Sequence, residues 1–325
     1  MNEQSRRAFL RGLAALGALP LTRGAMAADA YPTKAVRYIV GFAPGGTSDV
    51  IARLINPATS AKLGQPVVIE NFPSAGGIVA MGMLSSAPPD GYMVMHTSNS
   101  FVTVTPQLMK VPYDPMKDIE PVAYLGNSVN VLCVNPALPV KTFPELVAYA
   151  RANPGKVFYG SSGTATGNHI TCEYMKRAAG FDATHVPYKG AAPAINDLIG
   201  GRLQFMADPA LLPAIQGGKV RAIGVVDAKR HPMLPDLPAI ADSVPNWDPP
   251  QWYNFISVPT KTPTDVKEKI ARAIREAVRD PATIARMGEN SFLTTDMSTD
   301  ELNAKIRKEY VAMGDLLRTA NIRLE

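Results

Sequence analysis

A glycine-rich loop near the start of the chain has the residue types of an anion-binding site. Pro44-Gly45-Gly46 follows a short apolar run, 36–40, and precedes a helical pattern. A glycine turn that leads into a helix N-terminus presents free backbone N–H groups and the positive end of the helix dipole. The phosphate-binding spacings G-x-x-x-x-G-K-S/T and G-x-G-x-x-G are absent from the sequence. The loop therefore predicts a site for an anion that need not be a phosphate, and a purely structural turn is the alternative.

A second loop with the same layout lies in the middle of the chain. A short β-type run, 157–160, leads into glycines and hydroxyl side chains, and a helix is predicted from about His169 to Ala179. The hydroxyls can donate to a carboxylate or make loop and cap hydrogen bonds. They belong to Ser161, Ser162, Thr164 and Thr166. Two such loops, far apart in sequence, predict two similar domains that face each other across a cleft.

Further candidate residues flank these loops or end strands. Asp49 suits either an acceptor for a ligand amine or a stabiliser of the helix N-terminus. His169 suits either a ligand contact or a structural role at the helix start, and Phe42 either the cleft wall or the core. Ser98 follows a strand at the edge where open α/β sheets bind ligands. The predicted ligand-binding residues are Phe42, Pro44, Gly45, Gly46, Asp49, Ser98, Ser161, Ser162, Thr164, Thr166, His169, Gly190, Ala191 and Asp208.

Catalytic and metal-binding motifs are missing from the sequence. It has no G-x-S-x-G elbow, no H-E-x-x-H and no paired C-x-x-C. Cys172 follows His169 by three residues, but no third metal ligand is nearby. Cys133 and Cys172 can form one disulfide or remain two buried thiols. We predict a binding protein without metal or cofactor; an exported hydrolase is the alternative, because a Ser-His-Asp arrangement is recognised by geometry.

The first 27 residues predict export. Arg6 and Arg7 form a twin-arginine motif, an apolar run follows at 13–21, and the tripeptide at 25–27 fits a small-x-small cleavage site. The apolar run is too short to cross a bilayer. The segment carries four arginines against one glutamate, so it supplies most of the formal charge of +5. The mature protein, beginning at Ala28, is predicted to be periplasmic and nearly neutral, with no nucleic-acid partner.

The remaining chain, about 300 residues, is long enough for two α/β domains. Thr264 is expected to cap a helix that ends at Pro281, and Ser298 with Glu301 forms a capping box for a last helix. The order of elements predicts a discontinuous first domain, 28–125 and 253–325, and a second domain, 126–252. Strands are predicted at 36–40, 65–71, 93–96, 122–125, 130–134, 157–160, 202–207, 220–226 and 252–258.

An ordered set of short motifs resembles the periplasmic solute-binding proteins of tripartite tricarboxylate transporters, the Bug-type receptors. The motifs span almost the whole mature chain. They are PGG at 44–46 with Asp49, LGQPVVIEN at 63–71, AGG at 75–77, PDGY at 89–92, YDP at 113–115, YGSSG at 159–163 with His169, VPYKG at 186–190, LPD at 234–236 and Trp252.

The resemblance implies two α/β lobes of a type II-like periplasmic-binding-protein fold, joined by two crossover strands, that close around a small organic carboxylate. The carboxylate would bind the two loops, partly through ordered water. The resemblance also implies a monomer that delivers its ligand to the inner-membrane subunits of a tripartite tricarboxylate transporter; a partner of a signalling receptor would share the fold. The family often has glycine where Ala165 stands, which implies a tighter second loop, and it varies at 207–208, where Asp208 lies.

Overall fold

A computed structural model describes residues 31–230, 234–319 and 322 of the protein. The predicted export segment, 1–27, lies outside these residues. Two separate sheets, one of six strands and one of five, organise the fold, which confirms the prediction of two α/β lobes. Within the described residues, no helix is both long enough and apolar enough to span a membrane.

The strands supply the two sheets and the helices cover their faces. In chain order the strands are β1 (Val36–Val40), β2 (Val67–Asn71), β3 (Met93–Ser98), β4 (Ile119–Ser128), β5 (Val131–Val134), β6 (Phe158–Ser161), β7 (Thr184–Pro187), β8 (Phe205–Asp208), β9 (Arg221–Val225), β10 (Trp252–Pro259) and β11 (Phe292–Leu293). The α-helices are α1 (Thr47–Leu63), α2 (Ile78–Ser85), α3 (Ser100–Thr103), α4 (Thr105–Leu108), α5 (Phe143–Ala152), α6 (Gly167–Ala179), α7 (Ala191–Ile199), α8 (Leu212–Gln216), α9 (Thr264–Val278), α10 (Pro281–Gly288) and α11 (Thr299–Thr319).

The first sheet has the order β11-β4-β10-β3-β1-β2 and forms the centre of the first lobe. Strand β1 pairs in parallel with both β2 and β3, whereas β10 pairs antiparallel with β3 and β4. The carboxyl ends of β1 and β3 therefore meet at one edge, where the first glycine loop and Ser98 follow them. Open sheets of this kind bind ligands at that edge.

Strand β1 is apolar except at Arg37, which pairs with Glu70 on β2, because both faces of the strand are covered. Tyr38 and Val40 belong to one core cluster, which includes residues of α1 and α9, whereas Ile39 belongs to a second cluster with α2 and α3. The alternation follows from the two-residue period of a strand. The burial of both faces fixes the register of β1 and hence the position of the loop that follows it.

The second sheet has the order β7-β6-β8-β5-β9 and forms the centre of the second lobe. Strand β6 pairs in parallel with β7 and β8, so the second glycine loop lies at the carboxyl edge of this sheet. Cys133 on β5 and Cys172 on α6 are free, buried thiols. Of the two alternatives predicted for these cysteines, a disulfide or two buried thiols, the structure shows the thiols.

Two connections join the lobes. The chain leaves the first sheet after Ser128, enters the second at Val131, and returns from Val225 to Trp252. Strand β4 stays in the first sheet three residues beyond the predicted domain boundary at 125.

Several local predictions differ from the structure at element ends. Helix α9 begins at Thr264, but its N-cap is Pro263, so Thr264 is not the cap. The helix ends at Val278 and Pro281 opens a new helix, α10, because proline is tolerated in a first helical turn. The Ser298–Glu301 capping box is confirmed: Ser298 N donates to Glu301 Oε2 at 2.8 Å, and Glu301 N donates to Ser298 Oγ at 3.2 Å.

Candidate ligand-binding cleft

A cavity of about 70 Å³ lies between the two lobes. A cavity needs about 10–15 Å³ on this measure to hold one water, so this one has room for several waters or for a small ligand that displaces them. Most polar groups around it are hydroxyls, side-chain amides and backbone amides, and Asp208 is the one ionisable side chain among the described residues that line it. The lining residues are Phe42, Gly46, Thr47, Ser48, Ser98, Ser128, Asn130, Ser162, Thr166, Gly167, Asn168, Ala191, Asp208, Pro209, Trp252 and Asn254.

The first glycine loop brings the N-terminus of α1 to the cavity. Gly46 is the N-cap residue, and no side chain caps the helix there. The first intrahelical bond is donated by Val50 N to Gly46 O, so the N–H groups of Thr47 and Ser48 precede it and have no partner within the helix. Gly45 makes the turn with a φ of 84°, a conformation that favours glycine. The helix therefore offers uncapped N–H donors to a bound ligand.

Thr47 contributes a second type of donor. Its Oγ1 is buried and has no hydrogen-bond partner among the residues that the structure describes. A buried hydroxyl without a partner lowers the free energy of unfolding by about 1–3 kcal/mol, so a hydroxyl in this state needs a physical explanation. A ligand in the cavity supplies one, because Thr47 lines that cavity.

Asp49 turns away from the cavity and fixes the loop instead. Its carboxylate accepts hydrogen bonds from Gly45 N at 2.9 Å, from Arg53 at 2.9 and 3.0 Å, and from Asn71 Nδ2 at 3.0 Å. Burial opposes ionisation of Asp49, but the hydrogen bonds from Arg53, Gly45 and Asn71 outweigh it and lower the pKa. Of the two roles predicted for Asp49, the structure supports that of loop and helix stabiliser.

The second loop brings the N-terminus of α6 to the same cavity. Thr166 is the N-cap residue and does not cap the helix with its side chain. Its Oγ1 lies 2.5 Å from Gly163 O and 2.7 Å from Asn168 Oδ1, so its single proton is shared between two acceptors. The first intrahelical bond comes from Ile170 N, which leaves the N–H groups of Gly167 and Asn168 without an intrahelical partner. Two uncapped helix N-termini from opposite lobes thus meet at one cavity.

Gly167 is required by close packing between the lobes. A Cβ atom at this position would lie 2.6 Å from Trp252 Cδ2. Trp252 begins the returning strand β10, and its Nε1 donates to Thr171 Oγ1 on α6 at 2.7 Å. The indole therefore holds α6 of the second lobe against the first lobe.

Asp208 ends strand β8 beside the N-terminus of α6. Its Oδ2 accepts from Asn168 Nδ2 at 2.6 Å and from Ser162 Oγ at 3.1 Å, and its Oδ1 accepts from Ala210 N at 2.8 Å. All three donors are neutral, and Asp208 has no ion-pair partner in the described part of the chain. Burial raises the pKa of Asp208 to about 6, although the three hydrogen bonds oppose that rise.

His169 and Ser161 lie behind the second loop, outside the cavity. His169 Nδ1 accepts from Ala165 N at 3.2 Å, and its ring stacks on that of His185 with centroids 3.9 Å apart. Burial lowers the pKa of His169 to about 4 and that of His185 to about 3, so both rings are neutral. The Ser161 hydroxyl lies 2.6 Å from His185 Nε2 but is fully buried. Because its hydroxyl is fully buried, this Ser-His pair does not supply a nucleophile for the hydrolase alternative.

Gly190 lies at the contact that closes the lobes. Ala43 N donates to Lys189 O across the cleft at 3.1 Å. Gly190 has a φ of 148°, and a Cβ atom there would lie 3.0 Å from Ala43 Cβ. The closed arrangement therefore requires a residue without a side chain at this position.

The chain matches proteins of known family along most of its length. Residues 51–322 fit the family described as tripartite tricarboxylate transporter family receptor. A UPF0065 protein of Bordetella pertussis is 34% identical over 314 residues, which cover 95% of this chain and 96% of that protein. The chain belongs to the tripartite tricarboxylate transporter receptor family. The Bug-type resemblance seen in the sequence motifs is confirmed.

Solved structures of similar proteins share the receptor's fold. The periplasmic binding protein BugD matches with a TM-score of 0.86 and 30% identity, over 91% of this chain and 100% of that chain. A protein of R. palustris solved with adipate matches with a TM-score of 0.86 and 31% identity, over 90% of this chain and 99% of that chain. The family is one of transporter receptors and BugD is a periplasmic binding protein, so the receptor is a binding protein rather than an enzyme.

The structure brings half of the predicted ligand-binding residues of the receptor to its cavity. Those that line it are Phe42, Gly46, Ser98, Ser162, Thr166, Ala191 and Asp208. Those that do not are Pro44, Gly45, Asp49, Ser161, Thr164, His169 and Gly190. Which of them contacts a ligand stays a prediction.

The sequence interpretation missed other residues of the cavity wall. Four of them lie at the two helix N-termini that the sequence predicted as anion-binding sites, so their spacing to the glycines could have identified them. They are Thr47, Ser48, Gly167 and Asn168. The remaining ones were not predicted as ligand contacts, because they meet only through the crossovers and the loop after β8. They are Ser128, Asn130, Pro209, Trp252 and Asn254.

Proposed function

We propose that this protein is an exported receptor that binds a small organic carboxylate between its lobes and delivers it to a tripartite tricarboxylate-type membrane transporter. One observation carries the proposal. Two uncapped helix N-termini, one from each lobe, meet at a single cavity lined by hydroxyl and amide groups. The adipate found in a related structure supports the same ligand class.

The chemistry of the cavity favours an anion held by neutral dipoles. Each helix N-terminus carries about half a positive charge on its free N–H groups. In the described residues, no lysine, arginine or histidine lines the cavity. Neutral donors can satisfy a carboxylate from several directions, and hydrogen bonds to a charged group are worth about 1.5–3 kcal/mol each. Ordered water can bridge the remaining distance.

Ligand binding and lobe closure are coupled in this proposal. Donors from both lobes surround the cavity, so a carboxylate that contacts both stabilises the closed arrangement over the open one. The contact between Ala43 and Lys189 then forms as the lobes meet. The proposal also includes three further points: the domain division at 125 and 253, the removal of residues 1–27, and a monomeric state.

A thermal-unfolding screen of the mature protein tests the ligand class. The panel holds small mono- and dicarboxylates, each paired with its primary amide, which keeps the size but removes the charge. A true ligand at 100 times its Kd should add about 2.7 kcal/mol to the free energy of unfolding. The carboxylates should stabilise and the amides should not. If an acid and its amide stabilised the protein equally, or if no carboxylate stabilised it, the proposal would be contradicted.

Delivery to a transporter needs a separate measurement. Cells that lack this receptor should lose uptake of the radiolabelled carboxylate identified in the screen and regain it when the receptor is restored. As a matched control, a receptor with Gly167→Ala, which disturbs the cavity wall, should restore less uptake than the wild-type receptor. Undiminished uptake without the receptor would contradict a role in transport.

A further inference from the structure

We infer that Asp208 recognises an ammonium group on the ligand, so that the receptor's ligands are amino-substituted carboxylates. The inference rests on the proposed carboxylate-binding function and specifies its substrate class. Its basis is the position of a buried carboxylate in the wall of the cavity, with neutral donors around it and without a cation.

The hydrogen bonds of Asp208 leave it able to accept one more donor. A carboxylate has about four lone-pair sites. Two donors reach Oδ2, from Ser162 and Asn168, and one reaches Oδ1, from Ala210 N. As far as the described residues go, one site on Oδ1 is therefore unused. Asp208 is 4% exposed and lines the cavity, so a bound ligand is the partner that can fill this site.

The charge of Asp208 also needs a partner. An ionised carboxylate without a cation is expensive to bury, and neutral hydrogen bonds compensate for only part of the cost. The buried carboxylate of the first loop, Asp49, is by contrast already paired with Arg53. A ligand ammonium group placed at Asp208 supplies the missing positive charge. A second ligand carboxylate at the same place would meet a like charge instead.

The two sides of the cavity therefore favour opposite charges on the ligand. The N-terminus of α1 presents N–H groups without an intrahelical partner and the Thr47 hydroxyl, which has no partner in the described part of the chain; both favour a carboxylate. On the opposite wall, Asp208 lies beside the N-terminus of α6 and offsets its positive dipole. A zwitterion with adjacent carboxylate and ammonium groups matches this polarity, whereas a simple dicarboxylate matches only one side.

Calorimetric titration of the mature wild-type protein with matched ligand series tests the inference. Each series changes one substituent: succinate, malate and aspartate; glutarate, 2-hydroxyglutarate and glutamate. In the series that fits the cavity, the ammonium ligand should bind at least tenfold more tightly than the unsubstituted acid, with the hydroxy acid between them. Equal or tighter binding of the unsubstituted acid would overturn the inference and leave the proposed carboxylate function intact. Failure of every acid in both series to bind would count against both.

Two variants separate recognition of the ammonium group from a general effect on the protein. Asp208→Asn should weaken binding of the amino acid at least tenfold and leave the unsubstituted acid unchanged or tighter. Asp236→Asn removes the same charge from an exposed position outside the cavity and should change neither affinity. An equal loss for both ligands in Asp208→Asn would overturn the inference. Should that variant fail to fold, the wild-type series decides alone.

Discussion

The backbone amide of Ala43 donates a 3.1 Å hydrogen bond to the carbonyl of Lys189, and this bond joins the first glycine loop to the second lobe. The next residue, Gly190, packs against Ala43 in a conformation that favours glycine. Closure of the cleft thus depends on a direct backbone-to-backbone approach between the lobes.

Gly190→Ala should weaken ligand binding by hindering closure. The added Cβ would lie 3.0 Å from Ala43 Cβ and 3.2 Å from Ala43 N, and it would be strained at a φ of 148°. We expect a loss of affinity of about 10- to 100-fold, or about 1.4–2.8 kcal/mol. Small-angle scattering should show a larger radius of gyration than that of the wild type at the same ligand concentration.

Gly155→Ala is the matched control for this change. Gly155 also has a positive φ, 72°, but a Cβ atom there meets nothing within 4 Å. It should lower stability without lowering affinity. An unchanged radius and affinity in a folded Gly190→Ala protein would show that this contact does not limit closure.

Thr47→Val should affect binding and stability in opposite directions. The change removes a buried hydroxyl that lacks a protein partner and keeps the shape of the side chain. Ligand affinity should fall about 10- to 150-fold, the worth of a hydrogen bond to a charged group. The free energy of unfolding without ligand should stay the same or rise by about 1 kcal/mol. Calorimetric titration and chemical denaturation measure the two effects.

Thr59→Val gives the complementary control on the same helix. Thr59 Oγ1 donates to Ile55 O at 2.8 Å and lies outside the cavity. This variant should lose stability and keep its affinity. Wild-type affinity in a folded Thr47→Val protein would mean that the Thr47 hydroxyl does not bind the ligand.

Gly167→Ala should disturb the junction between α6 and the returning strand. Its Cβ would lie 2.6 Å from the indole of Trp252, too close for either group to keep its place. Overpacking of this kind costs about 1–3 kcal/mol. Thermal unfolding should show the loss, and titration should show weakened binding because Gly167 and Trp252 both line the cavity. Gly288→Ala, where a Cβ atom meets open space, is the control. An unaltered melting temperature in Gly167→Ala would refute the packing argument.

His169→Asn should reduce the acid sensitivity of the fold. Burial lowers the pKa of His169 to about 4, so between its unfolded pKa and pH 4 the unfolded state binds a proton that the folded state does not. Stability is therefore lost as the pH falls through this window, by about 2 kcal/mol between pH 7 and pH 5 for one histidine with an unfolded pKa of about 6.5. Asparagine can still accept from Ala165 N but does not titrate in this range.

Denaturation curves at pH 7 and pH 5 check this expectation. The variant should lose about 2 kcal/mol less than the wild type over this interval. Asp208 is present in both proteins and cancels in the comparison, whereas the pKa of His185 should rise when its stacked neighbour His169 is replaced. Parallel losses in the two proteins would mean that the fold does not lower the pKa of His169. Ligand affinity at pH 7 should be unchanged, since His169 does not line the cavity.

The sequence was sufficient to predict the local features of the site. The two glycine loops and the helices after them follow from residue types within a few positions of each other. The capping box at Ser298 is equally local and is confirmed. The resemblance to a known family added the arrangement of the two lobes, which no single loop specifies.

The remaining part of the site depends on contacts between distant segments. The role of His169 depends on stacking with His185, a residue from the neighbouring strand of the second sheet. Asn254 reaches the cavity because β10 pairs with both β3 and β4, a register that no local pattern encodes. The salt bridge of Asp49 with Arg53 is an exception. Its four-residue spacing on a helix is present in the sequence, but the sequence interpretation did not use it and left a ligand-amine role for Asp49 open.

The position of β10 determines the order in which the lobes can be completed during synthesis. This strand lies between β3 and β4 in the first sheet, yet the ribosome makes it about 150 residues after β3, which corresponds to roughly 8–30 s of translation. All five strands of the second sheet emerge during that interval. The first lobe is therefore begun first but its sheet is completed last. Its strands β3 and β4 cannot pair with β10 until β10 has been made, and by then the second lobe has all of its strands.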